Sequence, residues 1–321
     1  MNMKLERRSF LAGGAAAVVG ACWSTRAVGA VPDDLEIIDC HTHFYDPTRP
    51  EGVPWPAKGT PLYRTVLPQH LRAQKAYRRL TGTVVVEASP RIEDNAWLLD
   101  LAKSDPFVVG VVGSLNPADP EFASQVKRFA ADGLFRGIRV SVESVVELLD
   151  RQRTADLKPL VDHDLALDVN GGPKSPAIVA DLARQLPELR IVLNHIGNVR
   201  ITADEPPPAW RAGMRAAGEQ TNVFCKISAL LECAADPGKQ APIDLEIYRP
   251  YLDVVWNALG AERVIYGSNW PVSERAGDYE TLQRIALEHA SERGLSALES
   301  FCAGNARRAY KWVDRLDRAT R

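Results

Sequence analysis

Two histidines separated by one residue, His41 and His43, are the first side chains in this sequence that could do chemistry. They follow an apolar run, and Asp39 stands two residues before His41. Residues two apart on a β-strand point to the same face, so we expect all three side chains together at a strand end. Two imidazoles placed in this way can share a divalent cation such as Zn²⁺. The alternative is a hydrogen-bonded histidine pair in the core.

Charged side chains close two further apolar runs. Glu87 ends the run Val84-Val85-Val86-Glu87, and Arg139 ends the run that begins at Gly137. A carboxylate at the end of a buried strand ligates a metal, accepts a proton or pairs with a cation. We include Glu87 among the candidate metal ligands, with a salt bridge to an arginine as the equal alternative. Arg139 is a candidate for binding a substrate carboxylate through its fork of donors, or for neutralising Glu87.

Later strand-like runs carry three more polar side chains. His195 directly follows the apolar run 190–194, where a histidine is a candidate metal ligand or general base. Asp168 lies near the end of the run 166–169. Lys226 lies inside a buried run, which is costly unless the ammonium meets an anion. We therefore predict that Lys226 binds substrate or forms a structural ion pair. The remaining three histidines fall in polar stretches and are predicted at the surface: His70, His163 and His289.

The elements that would position these residues are eight short apolar, β-branched runs. They span residues 35–40, 83–88, 108–115, 137–142, 166–169, 190–194, 223–227 and 263–267. Most are separated by stretches with helical periodicity, which predicts an α/β fold, a closed (β/α)8 TIM barrel. An open doubly wound sheet is the alternative, but it would carry a glycine-rich phosphate loop after the first strand. This chain has His-Thr-His there.

Two long loops interrupt the regular pattern. Residues 45–68 are rich in proline, glycine and aromatic residues, and residues 201–210 contain three consecutive prolines. Both loops follow strands, on the side of a barrel where active sites are built. Loops of this length are typically lids or binding loops. We predict that Trp55, within the first loop, contacts the substrate.

Composition restricts the possible partners. The net charge is −2 and the pI about 6.3, without a basic stripe, so nucleic acid is not an expected partner. No apolar run reaches the roughly 18–20 residues of a membrane span. Arg7-Arg8-Ser-Phe-Leu and the small, apolar residues after it predict a twin-arginine signal peptide over residues 1–30 and export to the periplasm. Residues 31–321 would form the barrel domain. Lipidation at Cys22 is the alternative fate of the leader.

Five sequence motifs, in this order along the chain, resemble the amidohydrolase-related group of the amidohydrolase superfamily. They are Ile-Asp-Cys-His-Thr-His-Phe, Val-Leu-Asn-His-Ile-Gly, Cys-Lys-Ile-Ser, Tyr-Gly-Ser-Asn-Trp-Pro-Val and Asn-Ala-Arg-Arg-Ala-Tyr. The resemblance covers residues 35–315 and is strongest to sugar-lactone and dicarboxylate-lactone hydrolases. It implies a metal-dependent TIM-barrel hydrolase that opens cyclic esters, although some relatives decarboxylate.

The resemblance also implies roles for individual residues. His41 and His43 would bind the metal or polarise the substrate, and His195 would support the metal or a substrate oxygen. Arg139 and Lys226 would face a substrate anion. Asn269 departs from the family pattern, because the family usually has an aspartate there, the expected general base on water. An amide cannot take up a proton at neutral pH, so His195, Glu87 or Asp168 would have to substitute.

The sequence thus predicts a hydrolase that opens a lactone or a similar cyclic ester by metal-assisted attack of water. Its substrate would be a small anionic or sugar-derived molecule, and Zn²⁺ the expected metal. His195 and Asn269 are the predicted catalytic residues. Because Asn269 removes the usual base, two alternatives stay open: a barrel that binds without turnover, and a decarboxylase-type lyase.

Overall fold

Eight parallel strands follow one another around a single sheet in sequence order in the computed structural model, which describes residues 30–312. The strands are β1 (Ile38–Thr42), β2 (Gly82–Val86), β3 (Val108–Gly113), β4 (Phe135–Ser141), β5 (Ala166–Asn170), β6 (Ile191–Leu193), β7 (Val223–Ile227) and β8 (Val264–Tyr266). The predicted leader, with its Arg7-Arg8 pair and Cys22, lies outside the described residues apart from position 30.

Helices connect the strands and surround the sheet. They are α1 (Pro68–Arg72), α2 (Asp94–Ser104), α3 (Phe122–Ala130), α4 (Val142–Asp150), α5 (Lys158–Asp162), α6 (Ser175–Gln185), α7 (Pro208–Gly218), α8 (Leu230–Ala234), α9 (Leu245–Leu259), α10 (Tyr279–Ser291), α11 (Leu295–Glu299) and α12 (Asn305–Tyr310). Short 3-10 turns lie at Thr154–Leu157, His195–Gly197 and Val272–Arg275, and a π-helical turn lies at Ser300–Gly304. The predicted (β/α)8 TIM barrel is confirmed.

The two outer strands of the sequence, β1 and β8, meet where the barrel closes. The backbone N–H of Asn269 donates to the His41 carbonyl at 2.7 Å, and that of His43 donates to the Trp270 carbonyl at 2.9 Å. A side chain at Gly267 would bring its Cβ to 2.9 Å from the His41 Cβ, which explains the glycine. Closure of the barrel therefore places the His-Thr-His segment directly beside Asn269.

Asp39, expected beside the two histidines, instead stabilises this closure. Its carboxylate accepts hydrogen bonds from the backbone N–H of Ser268 and from the Tyr279 hydroxyl, each at 2.8 Å. Tyr279 belongs to α10, outside the sheet. Asp39 is thus bound within the barrel wall, because a buried carboxylate is stabilised by whichever donors surround it.

A second set of apolar side chains fills the inside of the barrel. Ile38, Val84, Val112 and Val192 belong to this cluster, and the segment from Ala303 to Trp312 packs against them. Residues of parallel strands are buried on both faces, so the strands are continuously apolar rather than alternating. This continuity is what made the eight runs recognisable in the sequence.

The surface prediction for histidines holds for two of three residues. His70 and His163 are exposed, but His289 is fully buried, with its Nε2 3.0 Å from an Asp253 carboxylate oxygen. The error arose because α10 turns this position toward α9, and the partner is distant in sequence. None of the helices within residues 30–312 is long and apolar enough to cross a membrane.

Candidate active site

Three imidazoles converge at the carboxyl ends of the strands. The ring centre of His41 lies 5.1 Å from that of His43 and 4.2 Å from that of His195. All three side chains are buried. The sequence prediction that these histidines meet in the barrel mouth is therefore matched by the structure.

One side of His41 faces a buried ion pair. The Lys226 ammonium lies 2.6 Å from Asp168 Oδ2 and 3.3 Å from His41 Nδ1, while the Tyr310 hydroxyl donates to Asp168 Oδ1 at 2.8 Å. An ammonium only donates, so Nδ1 accepts and neutral His41 carries its hydrogen on Nε2. Burial, with the nearby His195 and Lys226, holds the pKa of His41 well below its usual range.

The Nε2 atom of His41 is buried and has no hydrogen-bond partner. A buried donor without a partner costs about 1–3 kcal/mol, so this atom is suited to a ligand that supplies an acceptor.

Lys226 was predicted from the sequence either to bind substrate or to form a structural ion pair. Its side chain and that of Asp168 are 0 % exposed, and the ammonium also lies over the Tyr310 ring. The alternative raised from the sequence, a structural ion pair, is what the fold contains.

His43 is held in one tautomer by backbone groups. Its Nδ1 lies 3.0 Å from the Val86 carbonyl and 3.1 Å from the Glu87 carbonyl. Carbonyl oxygens only accept, so Nδ1 carries the hydrogen and Nε2 keeps a lone pair. Burial and the nearby Arg139 lower the pKa of His43 to about 3, which favours this neutral form.

The two predicted catalytic residues both follow strands in left-handed backbone conformations. His195 has φ 56° and Asn269 has φ 68°, values that are uncommon for residues other than glycine. Such conformations persist only where the surroundings enforce them, and they concentrate at functional sites. Next to His195, the Trp210 indole N–H donates to the Ile196 carbonyl at 2.8 Å. His195 Nδ1 lies 2.8 Å from the Ser228 hydroxyl.

The Asn269 side chain links two titratable groups. Its Oδ1 lies 3.1 Å from His43 Nε2, and its Nδ2 donates to Glu232 Oε1 at 2.8 Å. Glu232 belongs to α8, five residues beyond β7, and its Oε2 is buried without a hydrogen-bond partner. Burial raises the pKa of Glu232 to about 7. This residue was not predicted from the sequence, although a single acid within the apolar stretch 229–234 was a usable signal.

The expected metal-ligand set of His41, His43 and Glu87 is not assembled. Arg139 Nε donates to Glu87 Oε1 at 2.9 Å, and Arg139 Nη2 lies 2.7 Å from the same oxygen. Residues 30–312 contain no group of three or more His, Cys, Asp or Glu side chains arranged to hold a metal ion. The Nε2 hydrogen of His41 also opposes ligation. The side chains present do not fit a zinc centre of that composition.

The other two predicted substrate contacts lie at the rim of the site. Arg139 is partly exposed and borders a groove lined by Ser141 and Asn170. The Trp55 ring stands edge-on to His43, with 6.0 Å between ring centres, and lines a cavity with Arg49. The long loop 45–68 therefore covers one side of the imidazole cluster, and Trp55 stays a predicted contact.

The candidate site thus lies at the carboxyl ends of the strands of a (β/α)8 barrel, where barrel enzymes place their active sites. The family model described as Amidohydrolase matches residues 38–312, and the chain belongs to this family of hydrolases.

Two relatives from Burkholderia are described as L-fucono-1,5-lactonases. The B. ambifaria protein is 36 % identical over 251 residues, which covers 75 % of this chain and 82 % of the relative. The B. multivorans protein is 29 % identical over 300 residues, covering 87 % and 97 %. A crystal structure of a B. multivorans amidohydrolase with bound zinc matches with a TM-score of 0.75 and 25 % identity, over 87 % of this chain and 100 % of that one.

Proposed function

We propose that this protein opens a sugar 1,5-lactone by adding water across the ring ester bond. The observation that carries the proposal is the unpartnered Nε2–H of His41, a fixed donor inside the imidazole cluster. A lactone carbonyl oxygen is the acceptor that such a donor would serve. The two L-fucono-1,5-lactonases among the relatives support this substrate class.

His41 stabilises the transition state in this mechanism. Negative charge develops on the carbonyl oxygen as water attacks, and a donor fixed in advance stabilises that charge without reorganising. The Lys226 ammonium keeps His41 in the required tautomer.

His195 takes up the proton of the attacking water. Burial, with the nearby Arg139 and Lys226, holds its pKa well below the usual range, so it is neutral and able to accept. When the ring C–O bond breaks, the same proton passes to the departing ring oxygen, and the product is the open hydroxy acid. Trp55 and Arg139 would hold the sugar ring and its polar groups at the rim.

Two variants of His41 separate the roles of its nitrogens. The amide of H41N reproduces Nδ1 and can still meet Lys226, whereas that of H41Q reproduces the position of Nε2 and its donor. We expect H41N to lower kcat on the best lactone by about 10²–10³-fold, the value of one such donor, and H41Q to lower it less. Proton release from a panel of sugar and dicarboxylate lactones measures both. Wild-type protein that binds but does not turn over these lactones, or releases CO2 from aromatic acids instead, would contradict the proposal.

Zinc enters the proposal only as a weakly held ion. The superfamily is typically metal-dependent, and one solved neighbour contains zinc. Within the described residues, however, no acidic side chain joins the imidazoles to complete a metal site. We expect less than one zinc per chain after dialysis, and lactone hydrolysis that survives chelation. Elemental analysis and the same proton-release assay test this. Stoichiometric zinc, with activity lost on chelation and restored by Zn²⁺, would contradict it.

Export to the periplasm through the twin-arginine signal is part of the proposal, with lipid anchoring through Cys22 as the alternative. Replacing both Arg7 and Arg8 by lysine should retain the protein in the cytoplasmic fraction. Equal amounts of wild type and variant in the envelope fraction would contradict export by this route.

A further inference from the structure

The direction in which the Asn269 amide faces depends on whether Glu232 is charged. An asparagine amide can face either way, since a half-turn about its last bond exchanges oxygen and nitrogen. In this structure Nδ2 points to Glu232 Oε1 and Oδ1 points to His43 Nε2. His43 donates through Nδ1, so its Nε2 is an acceptor, and two acceptors face each other at 3.1 Å. This orientation costs energy at the His43 end.

A charged Glu232 compensates for that cost. A carboxylate accepts only, so it requires the N–H side of the amide, and hydrogen bonds to charged groups are about twice as strong as neutral ones. A protonated Glu232 has no such requirement. It can donate to Oδ1, and the reversed amide can then donate Nδ2–H to His43 Nε2. Each of the facing groups of Glu232, Asn269 and His43 then has a hydrogen-bond partner.

We propose that Glu232 is a positioning residue for the attacking water. As a carboxylate it holds the Asn269 amide oxygen toward the imidazole cluster, where Oδ1 accepts one O–H of the water while His195 accepts the other. As a neutral acid it lets the amide reverse, and the site loses that acceptor. In the usual family pattern a single aspartate acts on the water. Here Asn269 contacts the water and Glu232 supplies the charge that orients Asn269. This inference rests on the proposed lactone hydrolysis.

The surroundings of Glu232 favour a change of charge near neutral pH. Desolvation raises its pKa to about 7, opposed by its own backbone N–H, by Asn269 and by the charge of Arg275. The Cys233 thiol and the Tyr248 phenol are its other titratable neighbours, and burial raises both of their pKa values, to about 12 for Cys233 and higher for Tyr248. Glu232 alone among these groups changes charge between pH 6 and 8. The carboxylate predominates above pH 7, so activity should rise with pH through that value.

Profiles of kcat/KM against pH for wild type, E232Q and E232A test the inference. The wild-type value should rise about tenfold from pH 6 to pH 8, because such profiles report free-enzyme ionisations. E232Q can still accept from Asn269 through its own amide oxygen, so it should keep measurable activity with a flat profile. E232A should lose about tenfold or more at pH 8. E188Q, at an exposed acid far from these contacts, is the matched control and should follow wild type.

A purely structural role would lower the melting temperature of the variants without moving the pH dependence. The inference is therefore overturned if folded E232Q keeps the wild-type rise. A second measurement separates it from the lactonase proposal: ¹³C NMR of glutamate-labelled protein should show one carboxyl titrating near pH 7 that is absent in E232Q. If no lactone is opened by the wild type, the proposed function fails. If no carboxyl titrates between pH 6 and 8, the Glu232 inference fails, whatever the activity.

Discussion

The double variant N269D/E232Q, which exchanges the amide and the carboxyl across one hydrogen bond, is expected to raise lactone turnover at pH 7 by about 10²-fold, the lower end of what a general base contributes. The gain is expected because the pKa of His195 is held well below its usual range, which makes it a weak base. The first substitution places a proton acceptor where Asn269 now only accepts a hydrogen bond. The second places an N–H donor at residue 232, where the carboxylate now only accepts, to hold the new carboxylate charged. Side-chain volumes barely change, so the effect should be electrostatic.

The single variant N269D is the informative control. Its new carboxyl group would lie against Glu232, where the two atoms now joined are 2.8 Å apart. Two carboxyls this close share one proton, which raises the pKa of the pair. N269D alone should therefore gain less than the double variant at pH 7, and its gain should grow toward higher pH. A double variant slower than wild type would show that the site depends on the amide at 269.

Replacing Lys226 by methionine should lower the free energy of unfolding by about 3–5 kcal/mol, the usual cost of leaving one buried charge without its partner. Methionine fills nearly the same space, so little of this loss would come from packing. Asp168 would keep only the Tyr310 hydroxyl as a donor. Urea denaturation followed by circular dichroism measures the change.

Two comparisons show whether the loss is electrostatic. The double variant K226M/D168N removes both charges and should recover at least half of the loss. K103M removes a lysine from exposed pairs with Asp100 and Asp132 and should leave stability nearly unchanged, because solvent screens such pairs. If K226M is as stable as wild type, or if the double variant is less stable than K226M, the buried pair does not stabilise the barrel as argued.

The fold was predictable because each strand can be recognised from its own local sequence. Strands buried on both faces must be apolar throughout, and the runs at 223–227 and 166–169 match β7 and most of β5. Strand ends were harder to place. The first run was expected over 35–40, whereas β1 is Ile38–Thr42, because its end depends on pairing with Trp270 across the barrel.

The site was predictable in its positions but not in its partners. The sequence predicted that four residues lie together at the strand ends, since the carboxyl ends of parallel strands lie on one face of a barrel. These residues are His41, His43, His195 and Asn269. It could not say whether Glu87 meets a metal or Arg139, since that choice depends on side-chain distances between β2 and β4. Glu232 was not predicted for a different reason. It lies on the short helix α8 that follows β7, and its side chain contacts Asn269 at the end of another strand.

The hydrogen bond from Tyr310 to Asp168 means that a residue translated near the end of the chain completes the hydrogen bonding beside the site. The two residues are 142 positions apart, and Tyr310 follows all eight strands. A nascent chain that has made every strand, but not yet residues 303–312, exposes the apolar inside of its barrel and leaves the charges beside His41 incompletely bonded. Such a chain would be a poor catalyst and a good chaperone substrate. We therefore expect premature termination within residues 303–312 to remove activity, although every histidine of the site is present.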